Sequence, residues 1–253
     1  MILSYILLTQ VLARPLNFAE TPVAAMVAEG RAKARVGKPR DPLTKIIRGP
    51  VQSEITSILG QESKTIGTWT NGSSKQSVEH ATWISPELVS RWLGFNEARE
   101  FWDQDVLPTK WQMVRHKMSG KLNFVVELSA FPKLPFQGTG EYQKPRFDSY
   151  DNVRFVLTSD GRFWNMNARQ IRQIQGRKQA DVDHWPWWLD TPISACLATE
   201  HDTPPDPPLP FGDFNRTYYW VDLPIPAEIG ETFELRVLSK GKERVAKYSL
   251  RAR

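Results

Sequence analysis

The sequence predicts a mainly β protein of the α+β class, an antiparallel β-sandwich or jelly-roll-like sheet with an N-terminal helical segment and a helical hairpin. Apolar and polar residues alternate in several short runs, as in strands that have one face in a core and one in water. Asn-Gly and Asp-Gly pairs indicate tight turns between strands. Strands and helices do not alternate regularly, which argues against a parallel sheet.

Residues 1–50 are predicted to be a leader and basic tail with a short helix. They contain eight basic and three acidic residues, so the net charge of +5 belongs to this segment. A Thr-Pro pair at residues 21–22 opens an alanine-rich helical stretch that ends at Arg35. Residues 51–253 are predicted to form one mainly β domain with a helical insertion around residues 85–103.

The helical insertion is predicted from an N-cap and an aromatic stripe. Ser85 is followed by proline and glutamate, a pattern that is typical of a helix start. Leu88 and Trp92 recur at helical spacing, Gly94 is expected to end this helix, and a second short helix is expected over residues 96–102. An aromatic stripe at this spacing favours core packing over a ligand site.

The strands are predicted from alternating hydrophobicity bounded by turn residues. The predicted strands cover residues 65–70, 122–129, 153–157, 163–166, 218–223, 233–237 and 245–250. The Asp160-Gly161 pair is expected to join two of them in a hairpin, and Lys240-Gly241-Lys242 to join the last two. Residues 122–129 are expected to be half-buried. The proline-rich residues 203–210 are expected to form an extended connector.

The N-terminal residues 1–13 form an uncharged, mostly apolar run that is too short to span a bilayer as a helix. Their length fits the hydrophobic region of a secretory signal, although no basic residue precedes them. We therefore expect an imperfect signal peptide and a secreted or extracytoplasmic protein. The alternative is an N-terminal strand or helix that packs on the domain.

Composition and motifs restrict the chemistry. The single cysteine, Cys196, allows no internal disulfide and no cysteine zinc cluster. Sequence patterns for a nucleophile elbow, a phosphate-binding loop, a dinucleotide-binding turn and a zinc-protease helix are absent, and no cofactor is predicted. Because the net charge lies in the tail, no specific nucleic-acid binding is predicted. A weak contact of residues 31–48 with an anionic surface is the alternative to a solvated tail.

Residues 181–190 contain the densest group of aromatic and metal-binding residue types in the chain. Carboxylates and imidazoles are suitable ligands for divalent metals. The candidate metal ligands are Asp181, Asp183, His184 and His201. The tryptophans form an alternative site, a platform for a sugar ring, with the ligand-binding candidates Trp185, Trp187, Trp188 and Asp183. Packing of these rings in a core or an interface is favoured over both hypotheses.

The sequence predicts a non-catalytic, tryptophan-rich extracytoplasmic protein that binds a protein partner or an envelope glycan, or that has a structural role in the cell envelope. The competing hypothesis is a metal-dependent hydrolase that uses the cluster Asp181, Asp183, His184 and His201. No catalytic residue is assigned, and an enzyme is the less favoured class.

Overall fold

The computed structural model describes residues 14–34, 57–71, 75–100, 102–130, 132–133, 146–147, 153–176, 214–239 and 242–251. The main α-helices in these ranges are α1 (Ala24–Ala34), α2 (Pro86–Glu100) and α3 (Val106–Met118), and residues 57–59 are helical and lead into a 3-10 helix at Gly60–Glu62. The strands are β1 (Ser63–Asn71), β2 (Lys75–Trp83), β3 (Lys121–Ala130), β4 (Pro132–Lys133), β5 (Arg146–Phe147), β6 (Arg154–Ser159), β7 (Arg162–Asn165), β8 (Asn167–Gly176), β9 (Phe214–Pro224), β10 (Thr232–Ser239) and β11 (Lys242–Ser249).

The strands form two larger antiparallel sheets and one two-stranded pair. The five-stranded sheet has the order β1-β2-β3-β9-β8, the four-stranded sheet has the order β11-β10-β6-β7, and β4 pairs with β5. Only Met166 separates β7 from β8, so the chain passes directly from one larger sheet to the other. The predicted class, mainly β and antiparallel with a few helices, is confirmed.

The five-stranded sheet lies between the helices and the four-stranded sheet. Val125, Tyr218 and Trp220 pack with the helices in one hydrophobic core. The alternate residues of β3 pack against the four-stranded sheet in a second core; they are Leu122, Phe124, Val126 and Leu128. The expectation that this strand is half-buried is therefore wrong. The reason is that helices cover the face that would otherwise be in water.

Gly94 lies inside α2, which runs without a break from Pro86 to Glu100. The expectations that the helix ends at Gly94 and that a second helix covers residues 96–102 are therefore wrong. An ideal Cβ on Gly94 would lie 2.2 Å from the carbonyl oxygen of Val27 in α1, and one on Gly30 would lie 1.9 Å from the carbonyl oxygen of Arg91. The glycines therefore allow two helix backbones to approach closely, which is a packing role. The start of α2 is as predicted, because the Ser85 hydroxyl accepts a hydrogen bond from the amide of Leu88 at 3.1 Å.

The described residues of the N-terminal segment pack on the rest of the fold. Phe18 and Val27 are buried in the helix-side core, and α1 covers the predicted alanine-rich stretch. The Arg14 amide donates a hydrogen bond to the Leu250 carbonyl at 2.6 Å. Residues 14–34 thus contribute to the core, while the division into residues 1–50 and 51–253 stays a prediction.

Two predicted hairpins are confirmed. Asp160 and Gly161 adopt φ values of 47° and 76°, and they join β6 to β7. Positive φ at both central residues matches the twist of a hairpin, and asparagine or aspartate followed by glycine adopts it at low cost. The last two strands, β10 and β11, pair in register from Thr232↔Ser249 to Ser239↔Lys242.

Candidate binding groove

The residues that the sequence singled out for metal or sugar binding lie outside the described part of the chain. They are Asp181, Asp183, His184, Trp185, Trp187, Trp188 and His201. Residues 1–13, Cys196 and the proline-rich residues 203–210 lie outside it too. These hypotheses stay predictions. In the ranges that are described, no three histidine, cysteine or acidic side chains are grouped so that they could hold a metal ion.

Of the basic stretch at residues 31–48, only residues 31–34 are described. Arg31 forms two hydrogen bonds with the Glu97 carboxylate, at 2.6 and 2.8 Å. Lys33 contacts the Glu29 carboxylate at 2.6 Å and donates a hydrogen bond to the Ser57 carbonyl at the same distance. These two cations therefore hold α1 to the rest of the fold. None of the helices seen in the described ranges has the length and hydropathy to cross a membrane.

Two adjoining cavities lie where β10 begins, at one end of the four-stranded sheet. One has a volume of about 370 Å³ and is lined by the turn between β6 and β7 together with β10. The other, of about 390 Å³, is lined by β10, β11, residues 61 and 64, and Arg14. The two cavities share Thr232, Phe233 and Glu234 in their linings, and we refer to them together as the end groove.

Strand register fixes a row of side chains along the end groove. Phe163 is opposite Thr158, Thr158 is opposite Glu234, and Glu234 is opposite Lys247. Their neighbours along β10, Phe233 and Leu235, face the core, so this row lies on the outer face of the sheet. With neighbouring strands about 4.8 Å apart, the row spans roughly 14 Å from β7 to β11.

An exposed aromatic ring stands at one end of this row. Phe163 is 72% exposed, and it is the one large apolar side chain with such exposure in the described ranges. The next residue, Trp164, is partly buried and packs on the core between the sheets. The alternation of the strand therefore anchors β7 through Trp164 and presents Phe163 to solvent.

Ion pairs order the polar groups in the middle of the row. Glu234 accepts hydrogen bonds from Lys247 and Arg236, each at 2.8 Å, and Arg236 also donates to Glu243 at 2.9 Å. The hydrogen bond from Lys247 is the main reason that the pKa of Glu234 lies below its usual value, and Arg236 adds to this effect. The Glu234 carboxylate is therefore charged at neutral pH. Lys247 and Arg236 hold it in place, where its oxygen atoms can accept hydrogen bonds from a ligand.

The other end of the end groove is basic. Its lining includes Lys64, Lys247 and Arg251, together with the buried Arg14. Arg251 pairs with Glu231 at 2.5 Å, but both side chains are about two-thirds exposed. Arg14 is fully engaged, because its guanidinium contacts Glu62 and Glu87 and lies 5.0 Å from the centroid of the Trp83 ring.

Tyr248 borders the basic end, but its ring packs in the core between the two sheets. Its hydroxyl donates a hydrogen bond to the Ala81 carbonyl at 2.9 Å. Burial raises the pKa of Tyr248 well above its ordinary value, and the negative charge of Glu62 adds to this effect. The hydroxyl therefore stays protonated at neutral pH, and the ring has a structural role in the core.

The sequence did not predict the end groove. Its lining comes from segments that are distant along the chain, near residues 14, 61–64, 158–163 and 232–251. The only local signal is the Asp160-Gly161 turn, because a phenylalanine two residues after such a turn lies near the tip of a hairpin. Which face of β7 is exposed depends on the packing of the sheets, which sequence alone does not give.

Comparisons with family models, with curated proteins and with solved structures gave no significant match to this chain.

Proposed function

We propose that this protein is a non-catalytic extracytoplasmic binding protein and that the end groove binds an extended envelope glycan. The observation that carries the proposal is Phe163, a ring that is 72% exposed on the outer face of a sheet and borders a groove. An exposed aromatic ring combines a large apolar face with few rotatable bonds, which suits contact with a ligand. The apolar face of a sugar ring is a matching partner.

Polar groups around Phe163 support a sugar rather than a purely apolar ligand. Thr158, Asp160, Arg162 and Glu234 line the same cavity and offer both donors and acceptors to hydroxyl groups. A site that combines an apolar surface with a few placed polar groups is typical of small-molecule and glycan recognition. The length of the row, roughly 14 Å, suits an extended chain of sugar units better than a single sugar.

The rigidity of the scaffold also favours binding. The row lies on four paired strands, and the positive-φ turn at Asp160-Gly161 fixes the end of β7. Little conformational entropy is then lost when a ligand binds, which increases affinity for a given set of contacts. The extracytoplasmic location is supported by the leader-like sequence of residues 1–13.

The test is retardation of the protein in native gels that contain soluble polysaccharides, both neutral and acidic. We expect at least one polysaccharide to retard the native protein and Phe163→Ala to abolish that retardation. Phe163→Trp should keep it, because the larger ring still stacks. Lys117→Ala, on the exposed side of α3 in the helix layer, is the matched control and should bind like the native protein.

Two results would overturn the glycan assignment: no retardation by any polysaccharide, or unchanged retardation of Phe163→Ala. The melting temperature of each variant separates lost binding from lost folding. Because Phe163 is mostly exposed, we expect its replacement to change stability by less than about 0.5 kcal/mol. The location is tested by expressing the full chain and a chain without residues 1–13. Equal cytosolic retention of the two would contradict the extracytoplasmic proposal.

A further inference from the structure

The basic end of the end groove has no role in contact with a neutral sugar. Cations from two segments meet there: Lys64 from β1, and Lys247 and Arg251 from β11 and the residues just after it. Residues so far apart in the chain come together only because β1 lies beside β11 at the edges of the two sheets.

Lys64 differs from the other cations of the end groove. It is the second residue of β1 and is partly buried, and no ion pair between described residues includes its ammonium group. Lys247 and Arg251 have carboxylate partners, Glu234 and Glu231. A partly desolvated cation without a counter-charge attracts an anion more strongly than a fully hydrated one, because the local dielectric constant is lower.

The ion pairs of the other two cations do not prevent them from binding an anion. Lys247 is 78% exposed, and Arg251 and Glu231 are 67% and 65% exposed. Exposed ion pairs of this kind contribute little to stability because water and salt screen them. An anionic group can therefore add to the pair at Lys247 or replace Glu231 at Arg251.

We propose that the basic end of the end groove binds the acidic groups of the glycan, so that the natural ligand is an anionic polysaccharide. This inference rests on the proposed function. A chain that stacks one sugar on Phe163 reaches the Lys247 side of the sheet roughly 14 Å away, where Lys64 and Arg251 bind a carboxylate or phosphate group. The structure thus assigns an aromatic contact to one end of the ligand and an ionic contact to the other.

The experiment compares polysaccharides that differ only in charge. Polygalacturonate and its methyl ester share one backbone, and phosphomannan and mannan form a second pair that tests phosphate instead of carboxylate. We expect native protein to bind at least one acidic form more than tenfold more tightly than its neutral partner. Affinity for that acidic form should fall as salt rises from about 20 to about 300 mM, because the screening length shortens and the ionic contact with the acidic groups weakens.

Variants identify the residues that recognise the charge. Lys64→Gln should weaken binding of the acidic form by roughly fivefold, an effect typical of the loss of one partly exposed ionic contact. It should leave binding of the neutral form unchanged. Arg251→Gln should act in the same direction, and the double variant should lose most of the preference for the acidic form, with Lys247 as the remaining cation. Lys117→Gln, which removes the same charge from α3, is the control and should bind like native protein.

The outcomes separate this inference from the proposed function. If acidic and neutral forms bind equally and both depend on Phe163, the end groove binds glycans but the ionic contact is wrong. If Lys117→Gln weakens binding as much as Lys64→Gln does, the effect is one of net charge and the assignment to Lys64 is wrong. If no polysaccharide binds, both the proposed glycan binding and the proposed ionic contact are wrong.

Discussion

The carbonyl oxygen of Val27 in α1 occupies the space that a Cβ on Gly94 of α2 would fill, at 2.2 Å from its ideal position. A second close approach lies beside it, because a Cβ on Gly30 would lie 1.9 Å from the carbonyl oxygen of Arg91. Two glycines on facing helices therefore let α1 sit on α2 at backbone contact. This crossing attaches the N-terminal segment to α2.

Gly94→Ala should destabilise the protein by about 3 kcal/mol, because a methyl group overpacks the crossing and a backbone carbonyl has little room to move. Helix propensity alone predicts the opposite sign, a gain of about 1 kcal/mol. Urea unfolding measures the difference. Gly120→Ala is the control: its φ is 76° with no atom near the added methyl, so only backbone strain of about 1 kcal/mol is expected. A stabilised Gly94→Ala variant would contradict the crossing.

Glu79→Gln should destabilise the protein by about 3 kcal/mol, because it removes the counter-charge of a buried guanidinium. Arg244 of β11 contacts the Glu79 carboxylate with two nitrogens and donates a hydrogen bond to the Ser239 hydroxyl at 2.8 Å. Arg236→Gln, on the outer face of the same sheet, should change stability by less than about 0.5 kcal/mol. Equal effects in thermal unfolding of the two variants would show that the buried pair does not link the two sheets.

Arg14→Met should cost about 3 kcal/mol or more, because the fully buried Glu62 carboxylate is left with Arg91 alone, at 3.4 Å. Tryptophan fluorescence in urea measures this loss, since Arg14 lies over the Trp83 ring. Arg115→Met is the control, because its partner Glu20 is 88% exposed. A loss below about 0.5 kcal/mol in Arg14→Met would mean that residues 14–34 do not belong to the cooperative fold.

Tyr248 should make the protein lose stability above pH 10. The pKa of its hydroxyl is raised in the folded state, so the unfolded chain loses this proton first as pH rises. The contribution of the neutral hydroxyl is therefore complete below the unfolded pKa of about 10 and decreases above it. Tyr248→Phe should be about 1 kcal/mol less stable at pH 7, because it loses the hydrogen bond to Ala81, and it should show a weaker decline at alkaline pH. Parallel pH profiles for the two proteins would contradict this assignment.

Local signals in the sequence correctly predicted several elements. The N-cap at Ser85, the Asp160-Gly161 turn and the alternation of residues 233–237 each depend on contacts within a few residues. The helix α3 and the strands β2, β4, β5 and β8 were not predicted. In β8, polar residues prevail, and its place at the edge of the five-stranded sheet is set by pairing with β9 rather than by its own hydrophobicity.

The candidate site could be predicted far less well than the fold. The sequence directed attention to residues 181–190, a local concentration of tryptophan and acidic residues, because concentration along the chain is the only proximity that a sequence contains. The end groove joins Phe163, Lys64 and Arg251, which are neighbours only through the register of paired strands.

The sequence by itself determined the mainly β antiparallel class, the Asp160-Gly161 turn and the start of α2, because φ preferences, capping and alternating hydrophobicity are properties of neighbouring residues. Only the tertiary structure decided that β3 is buried on both faces and that Gly94 is a contact point instead of a helix end. The tertiary structure also decided that Phe163 of β7 is exposed and that the cations near β11 lie close together. These features depend on which layers pack against each other, and packing partners are set by contacts between residues that are distant in the chain.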